Sequence, residues 1–224
     1  MGQKVNPKIF RVGVNQTWSS SWYARKQKYA QLLQQDILIR KRVLDKLANS
    51  GVAGVDISRS ANQVTLTVWT SKPGVLIGRQ GASIQELKAN LEKEFKERFD
   101  IAVKEVKKPY LNAAIVAEMI GAQIMRRMPY RRAVKSVLEK AVEAGAKGIK
   151  VYVGGRLNGA EISRSEYFLD GKIPLQTLRS DIDFARFGAL TGYGMIGVKV
   201  WIYRGEKFTK RNREDLSSVP SDRS

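Results

Sequence analysis

The chain has 224 residues, enough for one large domain or two smaller ones with cores of their own, and two is the expectation. Forty Lys and Arg against 21 Asp and Glu give a net charge of +19, a field that favours polyanions, nucleic acid ahead of an anionic membrane. With neither Cys nor His in the chain, disulfides, thiolate nucleophiles, His general bases and the usual zinc sites are excluded.

Residues 1–24 hold Gly, Asn, Pro and Ser without a sustained period and read as an arm lying over a surface. From Tyr29 to Ala48, Leu33, Ile37, Leu44 and Leu47 recur at helical spacing, and Asn49-Ser50-Gly51 stops the helix. Val55 and Ile57, then Val64, Leu66 and Val68, alternate with other residues as two short strands around a tight turn. Lys72 to Ile77 suits a brief buried helix opened by Pro73. Past Gly81, the positions Ile84, Leu87, Leu91 and Phe95 mark a long helix, and Ile101 and Val103 a strand that ends near Pro109.

Beyond Pro109, Val116, Met119, Ile120 and Ile124 predict one helix, and Val134, Val137, Leu138 and Ala141 another, broken apart at Met128-Pro129. Ile149, Val151 and Val153, and later Ile196, Val198, Val200 and Ile202, alternate as strands. The class is therefore α+β: an α-β-β-α-α-β unit over residues 25–110, then two helices packed on a mainly antiparallel sheet over residues 111–205. Residues 206–224 read as a flexible polar tail. No apolar run approaches the roughly 18 residues that span a bilayer, and the N-terminus lacks the apolar core of a signal peptide, so a cytoplasmic protein without a membrane role is expected.

The net charge divides as +3 over residues 1–24, +8 over 25–110, +7 over 111–204 and +1 beyond. Neither half owns the positive field, which points to a body that sits against a polyanion as a whole. Of four Gly-x-x-Gly matches, those at Gly51, Gly145 and Gly194 border strands or end a helix and serve as turns. The fourth, Gly78-Arg79-Gln80-Gly81, joins two helices. Absent side chains let a sugar-phosphate backbone approach, the next helix offers free N–H groups, and Arg79 adds a mobile charge. This turn reads as a phosphate clamp; the bland alternative is a helix connector in which Ser83 and Glu86 form a capping box.

With those residues in view, Arg25 to Lys108 resembles a KH domain of the second topological type, whose GxxG loop clamps single-stranded RNA. The whole chain resembles the bacterial small-subunit ribosomal protein S-three family, through "MGQKVNP", "KPGVLIGRQG", "RRAVK" at Arg131–Lys135, "GAKGIKVYVGGRLNGAEISRSE" from Gly145, "PLQTLRSDID" from Pro174 and "YGMIGVKVWIYRGE" from Tyr193. The resemblance implies a structural constituent of the ribosome, with no enzymatic activity. It would bind 16S-type ribosomal RNA in the head of the small subunit, beside neighbouring head proteins and the proteins around the messenger RNA entrance.

By resemblance, Gly78, Arg79, Gln80 and Gly81 with Lys72 and Lys88 form the KH contact. Arg131, Arg132 and Lys135 would hold and help unwind incoming messenger RNA. On an ideal helix these three fall within an arc of about 100 degrees beside Val134, Val137 and Leu138. Arg156 and Arg164 flank a glycine-containing turn and either grip ribosomal RNA or pair with Glu161 or Glu166; Lys4 and Lys8 of the arm would be further ribosomal RNA contacts. Trp18, Trp22 and Tyr23 either stack on bases or anchor the arm. No cofactor, metal or small-molecule substrate is expected, and no G-x-x-x-x-G-K-[ST] motif for an ATP-driven helicase occurs. Two other readings stand beside this one: a free-standing KH regulator of messages, and a metal-dependent nuclease built on Asp181 and Asp183, which share a face if Ile182 lies in a strand.

Overall fold

The computed structural model describes residues 4–47, 50–60 and 63–208. After a one-turn helix α1 (Pro7–Phe10) and a two-residue strand β1 (Ser20–Ser21), the first unit runs α2 (Lys26–Lys46), β2 (Val52–Arg59), β3 (Val64–Thr70), α3 (Pro73–Ile77), α4 (Ala82–Phe95) and β4 (Phe99–Glu105). Its sheet has the order β1-β2-β3-β4, with β2 and β3 antiparallel and β1 and β4 each parallel to its neighbour. Alternation along β2 and β3 sends Val55, Ile57, Val64, Leu66 and Val68 into a core with Leu87 and Leu91 of α4. The expected α-β-β-α-α-β order is what the chain forms.

α2 corrects one expectation. Leu33, Ile37 and Leu44 of the predicted apolar stripe are exposed, and the buried positions are Asp36, Ile39, Val43 and Leu47. The helix carries two apolar rows, and the one that turns inward contains a carboxylate. Asp36 accepts from Trp22 Nε1 at 2.7 Å and from Arg59 Nε at 2.9 Å, so the polar pairing, not an apolar count, sets the rotation of the helix.

The second unit comprises α5 (Ala113–Met125), α6 (Tyr130–Glu143), β5 (Gly148–Gly155), β6 (Arg164–Gly171), β7 (Ser180–Thr191) and β8 (Gly194–Glu206). The sheet order is β6-β5-β8-β7, antiparallel throughout, and both helices pack on one face. Asn112 caps α5 by accepting from Ala114 N–H and Ile115 N–H, and Pro129 opens α6, which places the break where Met128-Pro129 predicts it. Ile149, Val151, Val153, Val198, Val200 and Ile202 face the helices and have no exposed surface.

The arm is built into both units. Arg11 is fully buried and donates to the carbonyls of Leu175 at 2.8 Å and Thr177 at 3.0 Å; burial pulls its pKa down, and Asp181 opposes that shift. Asn15 donates to the carbonyls of Leu178 and Ser180. Further on, β1 pairs with β2, and Arg40 donates to Ser19 O, Ser20 Oγ and Val55 O. Trp22 is thereby an anchor, its ring 5.3 Å from that of Tyr29. Residues 209–224 of the predicted tail lie outside the described residues, while Glu206 belongs to β8 and Lys207 N–H donates to Arg179 O.

Replacing Asp36 with Ala leaves the buried Arg59 guanidinium short of its inner partner, and removal of one member of a buried ion pair costs about 3 kcal/mol. Urea unfolding of D36A is expected to show that loss, and D36N a smaller one because the amide oxygen still accepts.

Candidate nucleic-acid interface

The Gly78–Gly81 turn joins α3 to α4 through a backbone path that few residues can follow. Gly78 has φ 71 and ψ −175, a region open essentially to glycine alone, and a Cβ there would lie 2.5 Å from Ser83 Oγ. Gln80 (φ 53, ψ 23) and Gly81 (φ 80, ψ 7) are both left-handed. Arg79 and Gln80 are exposed, and neither has a partner among the described residues. Among the described residues no side chain caps α4, so N–H groups of its first turn stay open. The capping box of the alternative reading does not form: Glu86 accepts from Lys46 Nζ at 2.8 Å, and that bond holds the Glu86 carboxyl below its usual range. Lys72 stands exposed at the start of α3, Lys88 is half-buried within α4, and the exposed Val75 and Ile77 set apolar surface beside the loop.

On α6, Arg131, Arg132 and Lys135 all lie on the exposed side while Val134, Val137 and Leu138 are buried. The three cations differ. Arg131 Nη2 donates to Glu166 Oε1 at 2.9 Å and Nε to Tyr130 Oη at 3.1 Å, while Tyr130 donates to the same carboxylate at 2.9 Å. These bonds pull the Glu166 carboxyl down and push the Arg131 guanidinium up. Arg132 and Lys135 have no partner among the described residues.

Arg164 shares a cleft with Tyr130, Arg131 and Glu166, so two sets that are separate in sequence meet at the β5–β6 turn. Arg156, across that turn, donates to Ala160 O at 2.9 Å and lies 5.7 Å from the Tyr193 ring centre. Of the two glutamates the sequence offered to Arg156 or Arg164, Glu166 is taken instead by Arg131, a long-range pairing without a local signal. Lys4 is exposed in the arm; Lys8 is tied to Asp183 at 2.7 Å.

The candidate nuclease pair has a different use. β7 does contain Ile182, but a bulge separates Asp181 from it. Asp181 meets Lys207 at 2.9 Å, and Asp183 meets Lys8 and Arg204 and accepts Ala113 N–H at the start of α5. Among the described residues no group of three or more acids could hold a metal, and no helix is long and apolar enough to cross a membrane.

A strained, side-chain-poor loop between two helices on an α-β-β-α-α-β sheet, followed by a basic helix-on-sheet unit, defines a nucleic-acid-binding protein of the KH class. The family model for the KH domain matches residues 38–111, and that for ribosomal protein S3, C-terminal domain, matches residues 120–202. Relatives called small ribosomal subunit protein uS3 include one from Pelotomaculum thermopropionicum, 50% identical over 92% of this chain and 89% of its own length. Another, from Persephonella marina, is 47% identical over 99% and 98%, and a third, from Pelagibacter ubique, 46% identical over 98% and 97%. The chain belongs to this uS3 family, whose members are ribosomal structural proteins and not enzymes.

Two outcomes follow. G81N keeps a left-handed backbone open to Asn and should be tolerated, whereas G78N enters glycine-only space and should cost about 1–3 kcal/mol in thermal unfolding. The tie between α6 and β6 is fully present above the ordinary glutamate range and is lost as pH falls through the depressed value of Glu166. Carboxyl NMR titration should place Glu166 below a free glutamate, and R131A should bring it back up.

Proposed function

We propose that the protein is a structural constituent of the small ribosomal subunit that binds ribosomal RNA in the subunit head and presents α6 to messenger RNA at its entrance. The observation that carries this reading is the state of the α6 cations. Arg132 and Lys135 are exposed and unpaired among the described residues, beside an Arg131 braced by Glu166. Free guanidinium and ammonium groups take phosphates without first breaking an ion pair, and the braced one keeps the face aligned. Such a surface acts passively: it holds single-stranded phosphates while translocation pulls the message. Arg156, Arg164 and Lys4 extend the basic surface toward folded RNA, and the GxxG loop with Lys72 supplies a clamp for an unpaired strand.

Ribosomes carrying R131A, R132A and K135A together should translate a message with a stable hairpin several-fold more slowly while reading an unstructured message at the normal rate. Equal slowing on both would overturn the unwinding role. For the clamp, R79D with Q80D should weaken binding of short single-stranded RNA and flatten its dependence on salt, each lost phosphate contact removing roughly 0.7 from the slope of log K against log salt.

A further inference from the structure

The sheet of the second unit has a face that the reading above leaves unused. One face packs on α5 and α6; the strand register fixes what stands on the other. One cross-strand row there reads Leu169, Lys150, Trp201, Phe184, and the next Tyr167, Tyr152, Lys199, Arg186. The solvent side of an antiparallel sheet ordinarily carries polar residues of both charges. These two rows hold four aromatic rings, three cations and no carboxylate.

The rings and cations interleave. Lys150 Nζ lies 5.1 Å from the Tyr167 ring centre and 5.8 Å from that of Trp201, Lys199 Nζ 5.3 Å from Tyr152, and Arg186 Cζ 5.5 Å from Phe184. The Trp201 and Phe184 rings are 5.1 Å apart. Held over ring faces, these cations form no ion pair among the described residues and keep their charge available to an anion. A third row, Ser165, Gly154, Gly197 and Gly188, sets only one short side chain beside the Tyr152 row. The arm walls the other side, where Lys4, Phe10, Trp201 and Arg186 line a cleft of about 520 Å³.

We propose that this outer face is a second RNA-binding platform, distinct from the GxxG loop and from α6, on which unpaired nucleotides stack against Tyr152 and Trp201 while Lys150, Lys199 and Arg186 hold their phosphates. The alternation of π-faces and cations suits a single strand, because every base offers a face to stack and every linkage a charge. The absence of any acid from the rows favours a polyanion over a protein surface, which would need carboxylates to match its own cations.

The test uses the full chain with the clamp disabled by R79D and Q80D, so that failure here is separable from failure of the clamp. Binding of a fluorescently labelled 12-nucleotide oligouridine is measured at low salt, beside a duplex of equal length. The clamp-disabled chain should retain single-strand binding in preference to the duplex, and adding Y152A with K199A should weaken it at least tenfold. Y152F with K199R should restore most of the affinity, and unchanged unfolding midpoints would exclude a folding defect. Photocrosslinking with 4-thiouridine should label the β5 or β8 peptides. Affinity unchanged by Y152A and K199A, equal binding of the duplex, or crosslinks confined to the first unit would overturn the proposal.

Discussion

Asp36 accepts from Trp22 and Arg59 at once, and Asp183 gathers Lys8, Arg204 and the first N–H of α5. Both carboxylates are buried, and a buried charge persists only where several donors surround it. Each therefore dictates where its partners come from: one draws the end of the arm onto α2, the other draws the start of the arm onto β7. Between them Arg11 threads three carbonyls of the segment before β7. The arm thus works as a strap from one sheet to the other, beside the direct packing of α5 on β2. In a chain of net charge +19, this use of its acids also keeps them from cancelling the cations that face outward.

The surfaces proposed to meet RNA differ in how each is made ready. At the GxxG loop, backbone geometry does the preparation, since Gly78 occupies space closed to other residues and no side chain among the described residues caps the start of α4. On α6, one braced arginine stands beside two cations unpaired among the described residues. Preparation of this kind lowers the ordering cost of binding, which adds affinity without adding contact area.

Much of this was legible in the sequence where the signal is local. The periods of α4, α6, β5 and β8 and the break at Met128-Pro129 come from short-range packing and proline sterics, and they appear where expected. The rotation of α2 does not, because Leu33, Ile37 and Leu44 offer as many apolar residues as the inward Ile39, Val43 and Leu47, and the deciding contact, Asp36 with Arg59, joins positions far apart in the chain. For the same reason Arg11 was unreadable: a buried arginine answered by carbonyls more than 160 residues away leaves no local trace. The site residues Gly78 to Gly81 and the α6 cations were named from motif and resemblance, but the pairing of Arg131 with Glu166 and of Lys8 with Asp183 needed the fold. The outer rows of the second sheet were visible as an alternation in β8; their meaning required the register that sets Lys150 beside Trp201.

The strap is tested most directly by a distance distribution between the two units. The chain has no cysteine, so Lys93 of α4 and Glu139 of α6, both exposed, can each be replaced by Cys and spin-labelled without competing thiols. Pulsed electron resonance should give one narrow distance for the otherwise natural chain and a broadened distribution once K8M, R11M and W22F together loosen the arm's hold on both sheets. A distribution just as narrow in the released chain would contradict the account and assign the fixed arrangement to α5 against β2 alone.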